Sequence, residues 1–183
     1  MTSARAIARI VLQPLLVGLF AALIVRATLL QAYSIPSASM SPTLQVGDHI
    51  LVTPLRVPLA SQTIRRGDVV VFRNPRLAPG FFVKRVVAVP GDSLEIRGGE
   101  VWVNGRAEEE PYVMEGRTEG RISEIIPSGH LFVMGDNRDD SMDSWEIGVV
   151  RTSEIVGRAW LRFWPVDTLG ILQTPTYPEL DQS

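Results

Sequence analysis

The 183-residue chain predicts a mostly β fold: an antiparallel β-sheet domain behind an N-terminal transmembrane helix. Three observations carry that expectation. An uncharged apolar stretch follows two arginines at the start of the chain. Short β-branched runs punctuated by Gly, Pro, Asn and Asp fill the remainder. No window beyond the N-terminus sustains helical periodicity for more than two turns.

The first element is the apolar stretch. Arg5 and Arg9 precede Ile10 to Val25, a run of 16 uncharged residues, and apolar character continues past Arg26 to Leu30. The full 10–30 segment has 21 residues, which as helix reach about 31 Å, enough to cross a bilayer. Arg26 can snorkel toward the interface on its long stem, and membrane helices tolerate a proline such as Pro14. A cleaved signal peptide is the rival reading. Its apolar core is usually shorter, and Leu30-Gln31-Ala32 is a poor A-x-A site. A buried soluble helix would be apolar on one stripe, and this run is apolar on all sides. The expected division is therefore 1–9 cytoplasmic, 10–30 a transmembrane anchor and 31–183 a β-rich domain outside, with the arginines fixing the N-terminus inside.

Strands are expected at 49–55, 68–74, 81–89, 93–105, 129–136 and 154–164. Within 93–105, Arg97-Gly98-Gly99-Glu100 is a hairpin signal. Pro90-Gly91-Asp92 and Asn104-Gly105 are further turns. The polar stretch from Glu108 to Ser128 reads as a loop or flexible hairpin. In the 81–89 strand, alternation puts Lys84 on one face with Phe82, Val86 and Ala88, and Arg85 on the other with Val83 and Val87.

Composition narrows the chemistry. Without cysteine there is no thiol nucleophile, disulfide or cysteine zinc site. Two histidines, His49 and His130, exclude a multi-histidine metal centre, and both read as structural or surface residues. A net charge of −2 argues against nucleic acid. The 18 basic residues include a single lysine, Lys84. Codon bias explains an arginine excess but not the exception. An amine on an apolar strand face is partly desolvated, which lowers its pKa; taken alone, this segment fits a snorkelling lysine with its head in water slightly better.

Two other segments stand out. Ile35-Pro36-Ser37-Ala38-Ser39-Met40-Ser41-Pro42-Thr43-Leu44 holds hydroxyls between prolines, as a linker would, yet interleaves them with apolar residues that suggest packing. Gly135 to Ser144 is dense in carboxylates, but Arg138 and the lack of a glycine at the sixth place break the calcium-loop spacing. A polar surface turn is the plain alternative.

Together these segments resemble the bacterial type I signal peptidases. The resemblance rests on the N-terminal anchor, P-S-A-S-M-S-P-T-L (36–44), G-D-H-I-L-V (47–52), R-G-D-V-V-V-F (66–72), K-R-V-V-A-V-P-G-D (84–92), G-D-N-R-D-D-S-M-D-S (135–144) and G-R-A (157–159). It implies an antiparallel β-sheet protease domain on an uncleaved anchor, at the outer face of the cytoplasmic membrane. It also implies a serine endopeptidase that removes signal peptides from exported preproteins, with no cofactor and no metal. Ser39 matches the nucleophile and Lys84 the general base. Ser37 matches an oxyanion donor, beside the Ser39 backbone N–H, and Ser141 the hydroxyl that orients the lysine. Asp136, Arg138 and Asp143 match supporting polar positions. Ile35, Met40, Leu44, Phe82 and Val83 match segments that line shallow pockets for small side chains. One departure is plain: Trp145 stands where the family usually carries the arginine that pairs with the aspartate at 143. Arg138 or another arginine is the candidate substitute.

Two readings compete. One is a serine–lysine enzyme that cuts a different substrate, such as itself or a conjugation-system protein; the anchor and the lack of a helix-turn-helix argue against the self-cleaving repressors. An anchored β-domain that only binds partners would leave Ser39 and Lys84 incidental. Trp160, Phe163, Trp164 and Pro165 suggest a membrane-apposed edge.

Overall fold

The computed structural model describes residues 12–20, 30–55, 63–73, 79–113 and 121–175. The expected membrane segment lies largely outside them. Of it, 12–20 are helical (α1) and exposed along their whole length. Among the described residues no helix is long and apolar enough to cross a membrane, so the anchor at 10–30 stands as an expectation.

The remainder is antiparallel β-structure, as the punctuated runs predict. One sheet has eight strands: β1 (Gln31–Ser34), β2 (His49–Pro54), β3 (Val69–Phe72), β4 (Phe82–Ala88), β9 (His130–Met134), β10 (Val150–Arg151), β11 (Ile155–Trp164) and β12 (Gly170–Ile171). Their order is β1-β2-β11-β3-β4-β9-β10, with β12 beside β11. The second sheet has the order β7-β6-β5-β8, built from β5 (Ser93–Arg97), β6 (Glu100–Val103), β7 (Arg106–Ala107) and β8 (Ile122–Ile125). A short helix α2 (Ser144–Ile147) follows the loop after β9. Each strand run expected from the sequence contains a strand. The polar 108–128 stretch also contains one: β8, which pairs with β5.

Local chemistry explains the boundaries. Three strands, β2, β3 and β5, are entered through the same turn. In each a glycine at positive φ (Gly47 92°, Gly67 84°, Gly91 90°) precedes an aspartate. The aspartate carboxylate accepts the backbone N–H three residues back: Gln45 to Asp48 at 2.8 Å, Arg65 to Asp68 at 2.9 Å and Val89 to Asp92 at 2.9 Å. Only glycine adopts that φ cheaply, and the carboxylate satisfies an N–H that the turn would otherwise leave open. Both the Gly98-Gly99 and Asn104-Gly105 turns place two successive residues at positive φ, as two-residue hairpins require.

Gly157 has a different role. A side chain there would collide with the Thr53 carbonyl, so glycine lets β11 and β2 approach where their register shifts nearby. In β4 the alternation holds only to Val86. A register shift against β9 lies between Val86 and Ala88, and Ala88 consequently packs with Val87 in another core cluster, away from Phe82 and Val86. The expected grouping of Ala88 with Lys84 is thus undone by a bulge.

Candidate active site

The loop carrying Ser39 is closed at its base rather than free. Ile35 N–H donates to the Asp48 carbonyl and Gly47 N–H to the Ile35 carbonyl, both at 2.9 Å. Met40 and Leu44 are buried beside Ile35 in one core cluster. A linker reading of this Ser/Pro segment fails because its apolar residues anchor it to the sheet. The 135–143 loop grips it from the other side: Asn137 N–H donates to the Ser39 carbonyl at 3.1 Å, and Asn137 Nδ2 to the Ala38 carbonyl at 3.3 Å.

Ser39, Ser37 and Lys84 line one cleft of about 330 Å³. Ser37 Oγ lies 3.3 Å from Ser39 Oγ. Ile35, Met40, Phe82 and Val83 also line it, together with Pro36, Phe81 and Met142. Leu44 does not: it has no exposed surface and belongs to the core beneath the loop. No hydrogen bond among the described residues joins Lys84 to Ser39 or Ser141. Lys84 is 3% exposed. Burial pulls its amine down from the ordinary 10.5 to about 8, against the opposing attraction of Asp143, Asp140 and Asp136.

β4 separates the two chemistries by alternation. Lys84 faces the cleft; its neighbour Arg85 is buried in an ion pair. Arg85 Nε and Nη2 donate to the two carboxylate oxygens of Asp136 at 2.8 and 2.7 Å, and Nη1 donates to the Gly67 carbonyl at 2.8 Å. Thr43, on the Ser39 loop, donates to Asp136 Oδ2 at 2.5 Å. The lysine strand, the serine loop and the 135–143 loop therefore meet at one fully satisfied charge pair. A buried pair of this kind is costly to break by removing one partner, at about 3–5 kcal/mol.

Arg138 does not take the place of the missing arginine. Its guanidinium is held by Glu110 at 2.6 and 3.0 Å, and its Nε donates to the Gly135 carbonyl. Asp143 is satisfied otherwise: it accepts from Gly135 N–H at 2.9 Å, Trp145 N–H at 3.1 Å and Ser141 Oγ at 2.5 Å. The Trp145 contact is an N-cap bond at the start of α2, and Trp145 itself packs against the core. A carboxylate with three donors needs no arginine.

Several contributors escaped the sequence reading. Arg85 and Thr43 were not singled out, though Arg85 adjoins the only lysine. Gly135 is required because a side chain there would collide with the Ser39 carbonyl and Ser141. Glu110 and Tyr112 come from the stretch read as loop: Tyr112 donates to Glu110 at 3.0 Å and stacks on Arg85, 4.0 Å from guanidinium carbon to ring centre. His49 and His130 bond only nearby backbone carbonyls, of Gly47 and Ser128. Among the described residues no group of His, Asp and Glu is arranged to hold a metal.

Comparison with known proteins points one way. The family model described as signal peptidase, peptidase S26, matches residues 7–164. A signal peptidase I of Leptolyngbya laminosa is 39% identical over 162 residues, 84% of this chain and 78% of that protein. A probable signal peptidase I-1 of Synechocystis is 35% identical over 170 residues, covering 89% of this chain and 86% of that protein. A signal peptidase I of Bacillus caldolyticus is 35% identical over 147 residues, covering 73% and 79%. The chain belongs to the signal peptidase family, peptidase S26, and is by that membership a serine endopeptidase.

Proposed function

We propose that the chain removes signal peptides from exported preproteins by an acyl-enzyme route in which Ser39 is the nucleophile and Lys84 the general base. One observation carries this reading: a serine hydroxyl, a second hydroxyl and a desolvated lysine line the same cleft. With a pKa of about 8, roughly one amine in eleven is neutral at pH 7, against about one in 3,000 at the ordinary value. Side-chain rotation brings Nζ to Oγ as substrate closes the cleft; catalytic contacts often tighten only in the substrate complex. Lys84 takes the Ser39 proton as Oγ attacks the scissile carbonyl, then gives it to the leaving amine. Water attacks the acyl-enzyme with the same lysine as base.

Ser37 Oγ and the Ser39 backbone N–H donate to the oxyanion, worth about 10²–10³ in rate per donor. Ser141, its proton committed to Asp143, presents its oxygen to the Lys84 amine and orients it. Ile35, Met40, Phe82 and Val83 give the cleft apolar walls suited to small side chains. The route needs no metal and no cofactor.

The anchor at 10–30 places the domain on the outer face of the bacterial cytoplasmic membrane. The exposure of Leu12, Leu15, Val17 and Phe20 on α1, each above 50%, suits lipid far better than water. A second apolar region, at the end of β11, suits the bilayer surface.

The test is cleavage of a preprotein by the full chain. Ser39→Ala and Lys84→Arg are each expected to abolish it, because arginine keeps its proton at every working pH. Retained activity in Lys84→Arg ends the lysine-base mechanism.

A further inference from the structure

The cleft has one charged residue that the chemistry above does not use. Asp140 lines it, at the end of the 3₁₀ turn Arg138–Asp140, with its side chain exposed at the rim. Three charged neighbours in the loop are neutralised: Asp136 by Arg85, Arg138 by Glu110, and Asp143 by three donors; Asp139, exposed beside Asp140 in the turn, is not among the residues that line the cleft. Among the described residues no ion pair engages Asp140. Lys84 and Asp140 are the two formal charges on the cleft wall, and Lys84 must shed its proton to act. The working cleft is then apolar but for hydroxyls and one carboxylate.

Met142 and Phe81 also line the cleft and are 53% and 38% exposed, so they form part of its open rim. Asp140 stands two residues from Met142. A charged side chain on a peptide held at this rim faces that carboxylate. At a rim open to water, such a pair is worth a few-fold in affinity and is screened by salt.

We propose that Asp140 is a specificity-determining residue of this cleft, favouring substrates with a basic side chain just after the scissile bond, where the walls for small side chains do not reach, and disfavouring those with an acidic one there. The inference rests on the Ser39 cleft being the catalytic site and adds the charge preference of its substrate.

The experiment uses the full chain in detergent and peptides identical except for Lys, Gln or Glu at the residue just after the cut. The readout is the ratio of kcat/KM for the Lys and Glu peptides. A ratio cancels any change that Asp140 makes to the basicity of Lys84. The ratio is expected to be roughly three- to tenfold at low salt, falling toward one at about 0.3 M salt. Asp140→Asn should bring it to near one at low salt, and Asp140→Glu should restore it. A ratio that is the same in Asp140→Asn as in the unaltered chain, or near one throughout, overturns the inference. Ser39→Ala separates the two ideas: if it still cleaves the Gln peptide, the site assignment falls and takes this inference with it. If it is inactive while Asp140→Asn leaves the ratio unchanged, only the role of Asp140 falls.

Discussion

Burying an amine costs free energy whether or not it is used, and Lys84 is nearly fully buried. Its folded pKa, about 8, lies below the ordinary 10.5, so between those values the unfolded chain binds more protons than the folded one. Stability attributable to Lys84 therefore rises with pH across that window. Below pH 8 the full penalty applies, about 3 kcal/mol for the lowering from 10.5 to about 8. Lys84→Met is expected to be more stable than the unaltered chain at pH 7 by about 1–3 kcal/mol, with the gain shrinking toward pH 10.5. Urea unfolding of both at several pH values checks this; a gap that stays constant with pH would mean the lysine is not buried as a cation. With Lys84 as the proposed general base, kcat/KM is expected to climb tenfold per pH unit below about 8 and to level above it. The role proposed for Lys84 draws on a sequence signal, the one lysine among arginines. Its burial was not legible there, because a single strand pattern cannot tell a buried amine from a snorkelling one.

The loops at the active site act as elements through one glycine. Gly135 ends the β9 segment where the Ser39 carbonyl and the Ser141 side chain close on the backbone. Its N–H holds Asp143 and its carbonyl holds Arg138. Gly135→Ala must therefore push the serine loop and the 141–143 segment apart. Overpacking of this sort costs about 1–3 kcal/mol, but the displacement falls on the reacting groups. Expected are a folded protein, with an unfolding midpoint modestly lowered, and a kcat reduced by about 10² or more. Near-normal kcat would show that the two loops can move without consequence. At this scale the sequence was informative wherever a strand alternates and a glycine turns. The strands β2, β3, β4, β9 and β11 and the 97–100 hairpin were readable for that reason. β8 was not, since Ile122-Ser123-Glu124-Ile125 is too short and polar to rise above its surroundings. β1, β10 and β12 have two to four residues and exist only because a partner edge is present. Alternation failed at the β4 bulge, which depends on β9 and has no local signal. The three Gly-Asp turns were visible as motifs, but their shared geometry emerges only when the aspartate oxygens are seen to meet the same N–H.

Taken as a whole, the domain presents apolar surface where its strands lead back toward the proposed anchor. β1 begins one residue after Leu30 and pairs with β2, whose other neighbour is β11. Two strand spacings, about 10 Å, therefore separate the start of the domain from β11. At the end of β11 and just beyond it, Trp164, Val166, Leu169 and Ile171 are 52%, 65%, 59% and 73% exposed. Four large apolar side chains left in water within eight residues call for a covering phase. An indole near the headgroups, with aliphatic residues beside it, matches a bilayer interface. Trp102 and Trp145 belong to the second-sheet side and the core, so the tryptophans divide by location. In vesicles containing brominated lipid, the full chain is expected to show partial quenching of its tryptophan fluorescence. Trp160→Phe with Trp164→Phe should remove most of it while leaving the apolar edge, and hence the docking, intact. Quenching of the same depth in the double variant, or none in the unaltered chain, would place this edge in water and leave α1 as the only apolar surface turned toward lipid.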